Sequence, residues 1–232
     1  MNINNYSDLL RYLYDCRDES YRNFTFKLLK NHNINLIGVR TPILKRVAKY
    51  LSKRNYSEFI NISHSSYEEI LIHGLILGYL NVNFNDLIVY IHDFIPYIDN
   101  WAVCDLTVSN LKAFRVNQGS GFRFINKCIK SKNFLEQRFG VVLLNSYYIN
   151  DDYISDVLDI LSNIKTNEYY LQMAIAWCLS SCYVKYPDLI IKLLIDNKLD
   201  VFIHNKTIQK IVESIRVDDD SKDILKKLKI KA

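Results

Sequence analysis

Turn-forming residues are scarce in this chain, and their scarcity limits the possible folds more than any other feature. The 232 residues include six glycines and three prolines, whereas average usage predicts ~28 residues of these two types. So few turn residues exclude most turn-rich β-sandwiches and barrels, and they also exclude collagen-like and flexible-linker architectures. Because 49% of the residues are apolar, the chain can still bury a sizeable core.

Apolar residues recur with the period of an α-helix along most of the chain. One stretch after Tyr67 shows the i, i+1, i+4, i+5, i+8 pattern of a single helix face, at Ile70, Leu71, Gly74, Leu75 and Gly78. Ser65 or Ser66, followed by Glu68 and Glu69, is typical of a capped helix start. Further helices are expected to begin near Ser7, Glu19, Pro42, Phe84, Asp99, Gln118, Asn133, Asp152, Asn167, Pro187, Asn205 and Asp219. The sequence therefore predicts an all-α fold.

An internal repeat appears when the chain is compared with itself after a shift of 35 residues. The shift aligns Gln137 with Gln172, Leu144 with Leu179, Ser146 with Ser181, and Tyr148 with Tyr183. In both copies a long helix precedes a shorter one, which is the period of a helical hairpin. Stacked hairpins explain this period and the shortage of turn residues better than a closed bundle does. We therefore expect a curved α-solenoid with a concave groove, and residues 1–232 as a single domain without linkers.

The cysteine content is typical of a protein in a reducing environment, and the hydropathy does not indicate a membrane span. The five cysteines are odd in number and widely scattered, and the first residues lack the basic and apolar regions of a secretory signal. No apolar run approaches the ~18 residues of a membrane span. We expect a cytoplasmic protein without membrane association.

The sequence also lacks zinc-ligand spacing, a glycine-rich phosphate loop and a nucleophile elbow, so neither a metal nor a cofactor is expected.

Positive charge is concentrated in two stretches, although the formal net charge is only +5. The stretch 40–54 has six basic residues and no acidic one, and the stretch 106–135 has the same bias. Helical spacing places two sets of three on shared faces: Lys45, Lys49 and Lys53, and Arg123, Lys127 and Lys130. Such stripes can contact the phosphate backbone of a nucleic acid. From charge alone, ordinary solvated helix faces explain them better.

A short stretch around Trp101 contains the residues best suited to chemistry. Asp105 follows Trp101 by one helical turn, so that the carboxylate and the indole project from the same helix face. The alternative is that Trp101 anchors the core and Asp105 caps a helix or forms an ion pair. Trp177 can likewise be a core residue, and Arg138 is either a helix-surface residue or a phosphate clamp.

These residues carry a resemblance to a known family. The sequence resembles the AlkD-like DNA alkylation repair family in five stretches that occur in the family's order. They are Gly38–Pro42, Asp99–Asp105, Glu136–Leu144, Gln172–Trp177 and Thr207–Ser214. The resemblance implies HEAT-like helical repeats that form a C-shaped solenoid around duplex DNA. It also implies a monomer that is associated with the nucleoid when it is on DNA.

The resemblance assigns roles to individual residues. Asp105 corresponds to the catalytic carboxylate, Trp101 and Trp177 to the tryptophans that contact DNA, and Arg138 to the arginine clamp. The expected DNA-binding residues are Arg40, Thr41, Lys45, Lys49, Lys53, Arg123, Lys127, Lys130, Lys206 and Lys210. The chain departs from the family around these positions, at Ala102, Val103, Cys104 and Met173.

The implied activity is hydrolysis of the N-glycosidic bond of N3- or N7-alkylated purines. Such a base is already cationic and leaves easily, so one carboxylate that stabilises the developing oxocarbenium ion and orients water is sufficient. The resemblance also implies that the base is not flipped into a deep pocket. Two alternatives stay open: a non-catalytic protein that binds distorted or branched DNA, and a scaffold that binds other proteins.

Overall fold

A computed structural model describes residues 1–29, 34–54 and 56–231 of the chain. All regular secondary structure in these residues is helical, which confirms the predicted all-α class. The helices are α1 (Tyr6–Asp15), α2 (Glu19–Leu29), α3 (Thr41–Leu51), α4 (Tyr56–Ile60), α5 (Tyr67–Leu77), α6 (Phe84–Phe94), α7 (Trp101–Asn110), α8 (Gln118–Ile129), α9 (Phe134–Tyr147), α10 (Ile154–Asn163), α11 (Tyr169–Lys185), α12 (Pro187–Ile195), α13 (Val201–Val212) and α14 (Asp219–Lys227). None of the described helices is both long and apolar enough to span a bilayer.

Most helices begin within two residues of their predicted starts, and the exceptions have local causes. Helix α4 was not predicted, because its five residues are too few to show a helical period. Helix α13 begins at Val201 instead of near Asn205, because the Asp200 side chain accepts a hydrogen bond from the backbone N–H of Phe202. The capped start of α5 is confirmed, with Ser66 as its N-cap.

The chain divides into two compact units, Met1–Asn117 and Gln118–Ala232. Helix α5 is the centre of the first unit and packs against α3, α6 and α7. Helix α11 has the same position in the second unit, where it packs against α9, α10, α12 and α13. The single-domain organisation and the curved solenoid remain predictions.

Two glycines allow α7 to pack closely against α5. A Cβ atom added to Gly74 would lie 2.0 Å from the Thr107 hydroxyl oxygen and 2.7 Å from the Phe94 ring. A Cβ atom added to Gly78 would lie 2.4 Å from the backbone oxygen of Asn110. Because these contacts are far below van der Waals separation, Gly74 and Gly78 determine how closely α7 approaches.

We expect the Gly74→Ala substitution to lower the free energy of unfolding by about 2–3 kcal/mol, because the added methyl group forces α7 away from α5. Urea denaturation followed by circular dichroism measures this change. Gly119→Ala is the matched control, since a Cβ atom there meets nothing within 4 Å. It should be neutral or stabilising by up to about 1 kcal/mol. Equal stabilities for the two variants would contradict the close approach.

The 35-residue repeat corresponds to two helix pairs of the second unit. Helix α9 has 14 residues and α10 has 10, whereas α11 has 17 and α12 has 9. Each long helix therefore precedes a shorter one, as the repeat predicts. The aligned residues Leu144 and Leu179 are both fully buried. Of the aligned tyrosines, Tyr148 is fully buried and Tyr183 is almost fully buried. The two copies thus present matching residues to the core.

Candidate functional site

Helix α7 begins at Trp101 because Asn100 caps it. The buried Asn100 side chain accepts hydrogen bonds from the backbone N–H groups of Ala102 and Val103, both at 3.0 Å. Its amide group donates to the Asp99 carboxylate at 2.6 Å. Asp99 therefore precedes the helix, although the sequence predicts a helix start near this residue. The cap places Trp101 in the first turn of α7.

One face of α7 remains accessible, whereas most of the other residues of the helix are buried. Trp101 and Asp105 are partly exposed, and Ser109, one turn further along, is exposed. Residues Ala102 to Cys104 are buried, as are Thr107 and Val108. The departures from the family pattern at 102–104 thus belong to the core of the first unit. The tryptophan and the carboxylate lie together on the accessible face, as their spacing predicts.

A buried carboxylate holds the segment that precedes α3. Glu68, which has no exposed surface, accepts hydrogen bonds from the backbone N–H groups of Ile37 (3.0 Å), Gly38 (2.7 Å) and Val39 (3.1 Å). Gly38 has φ +102°, a conformation that side chains rarely adopt. The sequence pattern indicated only a helix cap at Glu68 and Glu69. Glu69 has that role, and Glu68 instead fixes the backbone next to Arg40.

Arg40 and Thr41 lie at the start of α3, where other side chains already contact them. The Arg40 guanidinium forms an ion pair with Asp18 at 2.8 Å and lies 5.3 Å from the centre of the Tyr21 ring. The Thr41 hydroxyl lies 3.2 Å from the Tyr21 hydroxyl. The backbone N–H of Tyr21, together with Arg40, lowers the pKa of the Asp18 carboxyl. A phosphate at this position would compete with Asp18 for Arg40.

The two basic stripes are shorter than their spacing suggests. Helix α3 ends at Leu51, so Lys45 and Lys49 share its face but Lys53 lies in the turn that follows. Helix α8 ends at Ile129, so Lys130 also lies beyond its helix, whereas Arg123 and Lys127 are exposed on it. The prediction that each set of three shares one helix face is therefore wrong for the third member. Each helix ends before the third basic residue, so the 3.6-residue helical period does not extend to that residue.

Arg138 lies inside the second unit. Only 4% of its surface is exposed, and its Nη1 atom donates a hydrogen bond to the backbone oxygen of Tyr170 at the start of α11. The interpretation as an ordinary helix-surface residue is therefore wrong. Its role as a phosphate clamp stays a prediction. The hydrogen bond joins α9 to the helix that carries Trp177.

Trp177 projects from an otherwise buried part of α11. Its side chain is 37% exposed, whereas Ala176 and Cys178 on either side have no exposed surface. Simple core packing is therefore not its role. The indole borders a cleft of about 230 Å³ that also contains Lys210 and Glu213. Cys178 and Cys182 are buried free thiols, as expected for packing residues.

Lys206 and Lys210 lie on α13, and each borders a different cleft. Lys206 donates a hydrogen bond to Gln209 at 2.7 Å, and its ammonium lies 5.6 Å from the centre of the Phe202 ring. Its cleft has a volume of about 610 Å³. Lys210 borders the cleft beside Trp177.

The sequence interpretation missed a histidine pair in the first unit. His64 and His73 are joined by a 2.7 Å hydrogen bond between their ring nitrogens. Glu69 accepts hydrogen bonds from Ser66 and Tyr6. Burial lowers the pKa of His73 to about 3, so that its ring is neutral at pH 7. Across the part of the chain that the structure describes, no three His, Cys, Asp or Glu side chains form a group that could hold a metal ion.

The four residues with predicted catalytic roles are divided equally between the two units. Trp101 and Asp105 lie in Met1–Asn117, whereas Arg138 and Trp177 lie in Gln118–Ala232. Each unit thus presents one accessible tryptophan.

A comparison with protein families supports the resemblance on independent grounds. The model of a family described as DNA alkylation repair enzyme matches residues 11–211, which is most of the chain. The match includes both accessible tryptophans, Asp105 and Arg138. A search of curated proteins found no match.

Proposed function

The chain belongs to the DNA alkylation repair enzyme family, and we propose that it is a DNA glycosylase acting on N3- or N7-alkylated purines in duplex DNA. The observation that carries this proposal is the accessible face of α7, which presents Trp101 and Asp105 together on a helix whose other residues are mostly buried. An accessible carboxylate one turn from an indole suits a reaction that develops positive charge on a sugar.

The proposed reaction needs no acid to activate the leaving base. The bond between C1′ and the purine nitrogen breaks, and its electron pair neutralises the positive charge of the alkylated ring. Asp105 stabilises the oxocarbenium ion that remains on the deoxyribose. Water then adds to C1′ and releases a proton, leaving an abasic site and a neutral free base.

The other residues with predicted roles position the DNA in this proposal. Trp101 and Trp177 pack against the sugar-phosphate of the lesion, and Arg138 binds a neighbouring phosphate once its surroundings open. The base stays in the duplex and is not flipped into a pocket. The protein acts as a monomer.

The predicted DNA-binding residues contribute affinity without sequence information. Lys49, Arg123 and Lys127 are exposed on their helices and approach phosphates in this proposal. Lys45, Lys206 and Lys210 are partly exposed. Arg40 would have to exchange Asp18 for a phosphate, so we expect it to contribute less than the exposed lysines do.

Base release from a methylated duplex tests the function directly. We expect the protein to release free base from duplex DNA that contains 7-methylguanine and to release none from the same duplex without the lesion. Chromatographic measurement of the free base gives the result. Binding without release would favour the non-catalytic DNA-binding protein. Neither binding nor release would favour the protein-binding scaffold.

A further inference from the structure

The cleft beside Trp177 contains polar and charged residues that the family match does not cover. Glu213, Ser214 and Arg216 border this cleft, and all three lie beyond residue 211, where the match ends. We propose that the cleft binds a phosphodiester group of the DNA, with Arg216 and Lys210 as its cationic groups. This inference rests on the proposed function, for which it names a specific subsite.

The size and walls of the cleft suit a small polar group. Its volume is about 230 Å³, below the ~300 Å³ at which pockets for drug-sized ligands begin. Trp177 forms one wall from α11, and Lys210 lies on α13. A sugar that packs on the Trp177 indole has a phosphate on each side, so one of these phosphates would lie next to the cleft.

Three side chains can donate hydrogen bonds to an anion in the cleft. Within the described residues, neither Lys210 nor Arg216 has an ion pair with a carboxylate. The Ser214 hydroxyl oxygen accepts a hydrogen bond from the backbone N–H of Arg216 at 3.2 Å, which leaves its own proton for a ligand. The same hydrogen bond holds the turn that positions Arg216.

The remaining hydroxyl groups of the cleft cannot act as donors in the same way. Ser180 and Ser181 both donate to the backbone oxygen of Trp177, at 2.8 and 3.1 Å. Their hydroxyl protons are therefore already in hydrogen bonds, so these two side chains have no proton to donate to an anion. Recognition of an anion thus depends on Lys210, Ser214 and Arg216.

Glu213 opposes the two cations. Its carboxylate accepts a hydrogen bond from the Gln209 amide at 2.7 Å and borders the same cleft. Two cations and one carboxylate leave a net charge of +1, which favours an anionic ligand over a cationic one. Because Glu213 repels a phosphate, removing its charge should strengthen DNA binding.

The test compares two substitutions with opposite expected effects. Fluorescence anisotropy measures the affinity of wild type, Arg216→Ala and Glu213→Gln for a labelled duplex over a range of salt concentrations. For Arg216→Ala we expect the slope of log K against log salt to become less negative by about 0.9, and affinity near 100 mM salt to fall by about tenfold. For Glu213→Gln we expect affinity to rise by roughly twofold to fivefold.

Lys192→Ala is the matched control, because Lys192 is an exposed cation of the same unit that borders another cleft. It should retain the wild-type slope. If Arg216→Ala also retains the wild-type slope while wild type binds DNA, the proposed subsite is wrong and the proposed function stands. If Glu213→Gln weakens binding as much as Arg216→Ala does, the two residues have only a structural role and the subsite is also wrong. If wild type itself does not bind DNA, the proposed function fails.

Discussion

Substitution of Asp105 by asparagine is expected to reduce release of alkylated base by about 10²- to 10³-fold, the typical loss for one preorganised electrostatic contact. Asparagine keeps the shape of the side chain but removes the negative charge that stabilises the oxocarbenium ion. DNA binding should persist, because the phosphate contacts come from basic side chains elsewhere. Base release and gel-shift affinity, measured on the same duplex, give the two results.

Asp99→Asn is the matched control for this prediction. Asp99 is the nearest carboxylate along the chain, but it is exposed and precedes α7, where it accepts a hydrogen bond from Asn100. An asparagine oxygen can still accept that bond, so we expect base release near the wild-type rate. Equal base release by wild type and Asp105→Asn would show that Asp105 is not the catalytic group.

Substitution of Glu68 by alanine is expected to lower the free energy of unfolding by about 5 kcal/mol. The change removes three hydrogen bonds to a charged acceptor, each of which contributes about 1.5–3 kcal/mol, and leaves three buried N–H groups without a partner. Since whole domains are stable by only about 5–15 kcal/mol, the first unit is expected to be largely unfolded or close to unfolding. Urea denaturation gives the stability, and hydrogen exchange at Ile37, Gly38 and Val39 locates the change.

The Glu68→Gln substitution separates charge from shape at this position. The amide oxygen can still accept from Gly38 and Val39, but the amide nitrogen would face the N–H group of Ile37. We expect a loss of about 3 kcal/mol, smaller than for alanine. Glu168→Gln is the control, because Glu168 is exposed and its side chain makes no capping hydrogen bond. If Glu68→Gln is as stable as Glu168→Gln, the anchoring role of Glu68 is wrong.

Features that depend on neighbours in the sequence were predictable. The period of the apolar residues located thirteen of the fourteen helices that the structure describes, and the missing one has only five residues. The spacing of Trp101 and Asp105 placed both on one face of α7, since residues four apart on a helix are neighbours. The sequence pattern did not predict where helices end. For that reason Lys53 and Lys130 were wrongly expected on the faces of α3 and α8, whereas both lie beyond these helices.

Features that depend on distant residues were decided by the tertiary structure. Glu68 binds backbone groups 29 to 31 residues away, and the cleft beside Trp177 includes residues of α13 and the turn after it. No local pattern marks such contacts, because the partners come together only when the helices pack. Composition and periodicity therefore determined the all-α class and the accessible face of α7. Packing alone decided that Arg138 is buried, that Trp177 is exposed and that Glu68 holds the segment before α3, because burial and hydrogen bonding depend on which surfaces the folded chain covers.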